Sequence, residues 1–183
     1  VPDPAKAAKD PKDIASIEQL FLTGQHLEQY RHATYDPTEY YKEALRREPG
    51  DIRCNNAMGL WLMRKGQFAM AEPYFRKAIG TQTERNPNPY DGEPHYNLGW
   101  SCLMQGKTDE AYDAFFKSAW NAAWQDAAYY NLAAIDCRRG NFEKALDLID
   151  RSLVRNWHHH KARQLKASIL RHLGRKEEAL DLI

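Results

Sequence analysis

Cysteine is scarce in this chain: Cys54, Cys102 and Cys137 are the only three in 183 residues, far apart and with no C-x-x-C pair. That is a poor basis for a disulfide framework or a thiolate zinc site, and it suits a reducing, cytoplasmic setting. Long apolar runs are missing too, so nothing approaches the ~20 residues a membrane span requires. Neither charge prevails, with 26 Lys+Arg against 25 Asp+Glu, and no global basic field argues for nucleic acid. No G-x-S-x-G, P-loop or G-x-G-x-x-G run is present, which removes the usual local signatures of nucleophilic or phosphate chemistry. Glycine and proline are few, while alanine, leucine and charged residues abound, a composition that leans to helix.

The chain opens Val1-Pro2-Asp3-Pro4, without an initiator methionine or an apolar stretch of signal-peptide type, and reads as a piece of a longer protein. Residues 1–16, with Pro2, Pro4 and Pro11 among charges, read as a linker or the tail of a preceding domain. Beyond them the sequence repeats itself. Gly66, Gly106, Gly140 and Gly174 are separated by 40, 34 and 34 residues. Ala71, Ala111, Ala145 and Ala179 keep the same gaps, as do Gly59, Gly99, Ala133 and Ala167, and the bulky Phe75, Phe115, Ile149 and Ile183. A small residue lets two helices approach, with the alanine twelve places later expected to face it. The intervening glycine tolerates the left-handed backbone of a tight turn. Apolar residues at helical spacing complete helix–turn–helix units that must stack to bury their faces.

These columns, with Tyr96-Asn97-Leu98-Gly99 and Tyr130-Asn131-Leu132-Ala133, resemble the tetratricopeptide repeat family, whose unit is 34 residues. The resemblance implies an all-α, right-handed superhelical solenoid over residues 17–183. Its units are 17–51 (divergent, with a helix start at Asp36-Pro37), 52–91 (six extra residues within 83–91, including Asn86-Pro87-Asn88-Pro89), 92–125, 126–159 and the incomplete 160–183. The family's bulky fourth position is Asn55, His95, Tyr129 and Arg163, so only the third full-length unit conforms there. The chain is also similar to the helical-repeat segment of large bacterial proteins that carry an uncharacterised, carbohydrate-related domain.

In the family, the first helix of each unit lines a concave wall. Matched position by position, that wall implies a peptide-binding groove of Arg53, Asn56 and Arg64; Tyr96, Asn97 and Trp100; Tyr130, Asn131 and Arg138; and Lys161, Gln164 and Arg171. Tyr96, Trp100 and Tyr130 are expected to converge there as aromatic anchors. Asn97 and Asn131 have a second reading as bonds between neighbouring units, and Trp100 as packing between first helices. The carboxylate clamp of chaperone-tail binders is matched only by Asn131 and Lys161, because Tyr96, Trp100 and Leu165 replace its other three residues. A chaperone-adaptor role is thereby rejected.

Little else suggests chemistry. His158-His159-His160 point about 100° apart on a helix and read as a polar turn rather than a metal site. Asp109-Glu110 and Glu177-Glu178 stand where second helices begin and favour the helix dipole. Residues 81–136 hold eight acids against three bases and residues 138–176 eleven bases against three acids, which offers the C-terminal part to an acidic peptide. RNA is a minor option, since aromatic–basic interleaving is absent. The expectation is a non-catalytic protein-interaction scaffold with no cofactor or metal, whose partner is a protein or peptide, an acidic one included, or another domain of its own chain. Leu170, Leu173 and Leu180 are expected to lack an outer cover, leaving a fraying C-terminal unit or one that self-associates. The alternative is a non-catalytic accessory module of a larger, carbohydrate-active bacterial enzyme.

Overall fold

The computed structural model describes residues 6–30, 33–88 and 90–182; Val1–Ala5 of the expected linker, Pro89 of the insertion and Ile183 of the bulky column lie outside them. The regular structure of the described residues is entirely helical, and the chain divides into two compact units, 1–85 and 86–183.

The first unit holds α1 (Ile17–Gln29), α2 (Pro37–Arg47), α3 (Ile52–Arg64) and α4 (Phe68–Thr83). Its helix starts are written into the sequence. The side chains of Ser16, Asp36 and Asp51 accept from the backbone N–H groups of Gln19, Thr38 and Cys54, and Pro37 occupies the first position of α2, where no N–H is needed. The second unit holds α5 (Glu93–Met104), α6 (Thr108–Ser118), α7 (Gln125–Arg138), α8 (Phe142–Arg155), α9 (His160–His172) and the short α10 (Lys176–Leu180). The acid pairs Asp109-Glu110 and Glu177-Glu178 fall in the first turns of α6 and α10, as expected.

Each full pair turns on its glycine. Gly66, Gly106, Gly140 and Gly174 have φ between 71° and 78°, the left-handed conformation that costs a residue with a Cβ. At the first of these turns, the Gln67 N–H reaches back to the Leu62 carbonyl (3.0 Å) and the Gly66 N–H to that of Met63 (2.9 Å). The helix thus ends with its last carbonyls satisfied.

The small residues of the first helices have a more specific role than the sequence pattern indicated. What meets Gly59 is the ring of Phe75, sixteen places on: a Cβ there would lie 2.4 Å from a ring carbon. Gly99 stands in the same relation to Phe115 (2.7 Å), and Gly24 meets Tyr41, one place further on, in the same way (2.6 Å). The rings are fully buried. The conserved-gap alanines Ala71 and Ala111 are buried as well, but the ring is the group that fills the notch. In α7 and α8 the same two places hold Ala133 and Ile149, a smaller knob against a shallower hole, both fully buried.

Two expectations need correcting. Part of the segment expected as a linker, from Ala8 onward, is held against the first helices. Ile14 is buried with Leu20, Leu27, Tyr40 and Tyr41, and Ala8 packs against that cluster. Pro11–Asp13 form a 3-10 turn, the Tyr40 hydroxyl donates to the Lys9 carbonyl (2.9 Å), and the Arg47 guanidinium donates to the carbonyls of Ile14 (2.6 Å) and Pro11 (3.1 Å). An extended strap satisfies its polar backbone this way without joining a helix. At the other end, Leu170 is covered after all, at 1% exposure, and only Leu180 stands out at 70%. One turn and a half of α10, through Ala179, suffices to close over α9. No helix among the described residues is long and apolar enough to cross a membrane.

The ring-in-notch packing makes a direct prediction. Gly99→Val should lower stability by about 3 kcal/mol, because Phe115 is too enclosed to yield. Gly80→Ala, in α4 with open space where the methyl would go, should leave stability unchanged or raise it by up to ~1 kcal/mol. Thermal unfolding followed by circular dichroism compares them; equal effects would refute the role given to the ring.

Candidate functional site

The twelve residues expected on the groove all lie on α3, α5, α7 or α9, the first helices of their pairs, but the fold uses them differently. In the first unit the two arginines already have partners. Arg53 meets Glu18 of α1 at 2.6 Å and lies over the Phe21 ring, and the Glu18 carboxylate raises its pKa. Arg64 is ion-paired with Glu28 of α1 and lies over Trp61. Asn56, between them on α3, is half-buried and has bonds of its own.

In the second unit, Tyr96 is half-buried and knits helices together. Its ring packs on Phe115 (5.5 Å between centroids, edge-on) and on Trp124 (4.8 Å), and its hydroxyl accepts from the Asn131 amide (3.2 Å). Asn131, 3% exposed, donates also to the Ala127 carbonyl, so the reading of it as a bond between neighbouring units holds. Asn97 is buried and bonded, and Trp100 sets its half-buried edge against Phe115 at 6.0 Å. Tyr130 has a different neighbour from Tyr96: the His159 ring, 4.9 Å away. His159 thus belongs to a ring contact at the start of α9, with His158 and His160 exposed on either side. Arg138, Lys161, Gln164 and Arg171 are exposed.

Two buried polar groups shape this unit. Asp136 is fully buried in α7 at a place where the other first helices carry Leu62, Cys102 and Leu170. It accepts from the Tyr112 hydroxyl (2.9 Å) and the Asn141 amide (3.1 Å), and Lys144 stands 3.4 Å away, so its charge is bonded from three sides. His95 is buried in α5, and desolvation, helped by Lys117 and opposed by Asp91, holds its imidazole down at about 4. Burial pushes the Cys54 and Cys137 thiols up, away from the reactive thiolate form.

Sequence reasoning missed Glu18 and Glu28 as partners of Arg53 and Arg64, although the acids are ten residues apart on α1 and the arginines eleven apart on α3. It also missed Trp124 and the burial of Asp136, for which an acid in an apolar column was the available signal.

A family model for the tetratricopeptide repeat matches residues 56–137 and 130–183. The chain belongs to the tetratricopeptide repeat family. Solved structures agree on the fold of this tetratricopeptide protein. The crystal structure of MamA has a TM-score of 0.74 at 19% identity, covering 87% of this chain and 89% of that one. The protein described as pilF of Pseudomonas aeruginosa has the same score at 17% identity, covering 91% and 74%. YrrB, described as a TPR protein with an unusual peptide-binding site, scores 0.72 at 15% identity, covering 91% and 82%.

His95 gives this tetratricopeptide unit a defined acid sensitivity. Its pKa falls from 6.5 unfolded to about 4 folded, so between those values the unfolded chain binds a proton that the folded chain refuses. This group's effect is nil above pH 6.5, grows as pH falls through the window and saturates below 4, reaching roughly 3 kcal/mol of lost stability. Denaturant midpoints of the protein and of His95→Gln, compared from pH 7 to 4, should show a smaller slope for the variant; parallel curves would refute the assignment.

Proposed function

We propose that this chain is a non-catalytic protein-interaction scaffold that takes a peptide or protein segment, an acidic one among them, on the first-helix face of residues 86–183. The carrying observation is the contrast in exposed charge between the units. Arg53 and Arg64 are met by Glu18 and Glu28, whereas Arg138, Lys161 and Arg171 are exposed on α7 and α9, and α9 contains no acid. Trp100 and Tyr130 are half-buried on α5 and α7, rings of the kind that anchor interfaces. Tyr96, Asn97 and Asn131 act behind that face, positioning the helices that present it. The peptide-binding site named for YrrB lends support on the same fold. A reducing, cytoplasmic setting is part of the proposal and accords with three sparse free thiols.

The test is a pull-down followed by titration of the captured partner. Trp100→Ala with Tyr130→Ala should weaken binding by about 2 kcal/mol or more, while Arg138→Gln with Arg171→Gln should chiefly slow association and flatten its salt dependence. Both must keep the helical signal of the parent. Undiminished binding by both double variants would refute the site.

A further inference from the structure

The insertion before α5 is left unexplained by the first-helix face, and several of its described residues are bonded. The Asn88 N–H donates to the Asn86 side chain (2.9 Å) and the Glu93 N–H to the Asp91 side chain (2.9 Å), two local turns that shape the loop. The loop is then pinned to the end of α6. Lys117 donates to the Asn88 side chain (3.1 Å) and the Asn121 amide to the Tyr90 carbonyl. At its exit Gly92 lies so close that a Cβ would be 2.9 Å from the Ser118 carbonyl oxygen. Phe116 of α6 (49%) and Trp120 of the turn after it (59%) are exposed, and so is Tyr90 of the loop (98%).

Large aromatics exposed one turn apart, as Phe116 and Trp120 are, mark a contact surface. Lys117 already holds its ammonium 4.2 Å from the Trp120 ring centroid, so the ring attracts a cation. The same stripe of α6 runs on through Asp113, which is exposed, and Asp109, which is ion-paired with Arg139, and Asp91 flanks the loop. Carboxylates beside aromatic faces suit arginine, whose planar guanidinium stacks and bonds at once. The same acids repel phosphate, which disfavours nucleic acid and anionic lipid. Phe116, in the last turn of α6, and Trp120, in the turn that follows, are four residues apart, a separation on the order of one helical turn. Alternate side chains of an extended peptide are about 6.7 Å apart.

We infer that the exposed stripe of α6 and the turn after it form a second docking surface, separate from the first-helix face, for an extended basic protein segment with apolar side chains at alternate positions and arginine beside them. Phe116 and Trp120 seat the apolar side chains, and Asp113 pairs with the arginine.

The probe is a heptapeptide with arginine at both ends, leucine at its third and fifth positions and serine between, titrated into the whole chain labelled with 15N. The expected result is a saturable shift of the Trp120 indole N–H signal, assigned with Trp120→Phe, while that of Trp100 stays still. Trp120→Ala and Phe116→Ala should each weaken binding at least about tenfold, and Asp113→Asn about threefold with a flatter salt dependence. A peptide with glutamate at both ends should not bind. Since a truncated aromatic can unsettle the fold, the indole shifts of the unaltered chain and the Asp113→Asn variant decide the matter if an alanine variant melts early. No Trp120 shift, equal binding of the glutamate peptide, or a larger Trp120 shift with oligouridine or anionic vesicles would overturn the inference. Movement of the Trp100 signal alone would overturn it too, while leaving the first-helix face standing.

Discussion

An aromatic ring lies where a Cβ would otherwise sit in three successive helix pairs: Tyr41 over Gly24, Phe75 over Gly59 and Phe115 over Gly99. Much else follows from that steric constraint. The missing side chain lets the second helix drop onto the first, and the buried ring fixes how far it can slide. In α5–α6 the ring also serves as a platform. Phe115 supports both Tyr96 and Trp100, and Tyr96 in turn carries the bond from Asn131, so the position of α7 is referred back to the Gly99 notch. Side chains that look like ligand contacts in the sequence are therefore partly the frame on which contacts are mounted.

Periodicity made the fold legible because glycine, alanine and bulky residues recur at fixed gaps, and each column corresponds to a local steric need. The turn glycines adopt the conformation their type suggests, and Asp36-Pro37 starts a helix as such a pair should. The candidate face was legible only as a set of positions. Whether a residue at such a position is available depends on a neighbour some 35 residues away: Glu18 for Arg53, Glu28 for Arg64, Tyr96 for Asn131. Repeat columns describe one unit against an ideal; they carry no information on which partner the adjoining helix supplies. The strap was illegible for a related reason, since its stability comes from Tyr40 and Arg47 far downstream rather than from its own proline-rich composition.

Charge tells the same story at larger scale. A near-neutral total conceals a chain in which acids and bases are either consumed in pairs or left standing. Asp136 shows the extreme: a carboxylate wholly withdrawn from solvent, bonded by Tyr112 and Asn141, linking α6, α7 and the turn to α8. Such a group adds directional preference to a core that is otherwise filled by interchangeable apolar side chains. The pairing of helices in this unit thus has a chemical check as well as a steric one.

Arg47 has a practical consequence for cutting the molecule. A fragment begun at Ile17, where the repeat pattern suggests a boundary, would delete the Pro11, Ile14 and Ala15 carbonyls that its guanidinium bonds. Its remaining partner is Glu43, whose carboxyl is held near 2 by Arg46 and Arg47 together. The Tyr40 hydroxyl would lose Lys9, and the apolar floor beneath Ile14 would open to water. A fragment that keeps the contacts of the first repeat intact therefore has to start upstream of it.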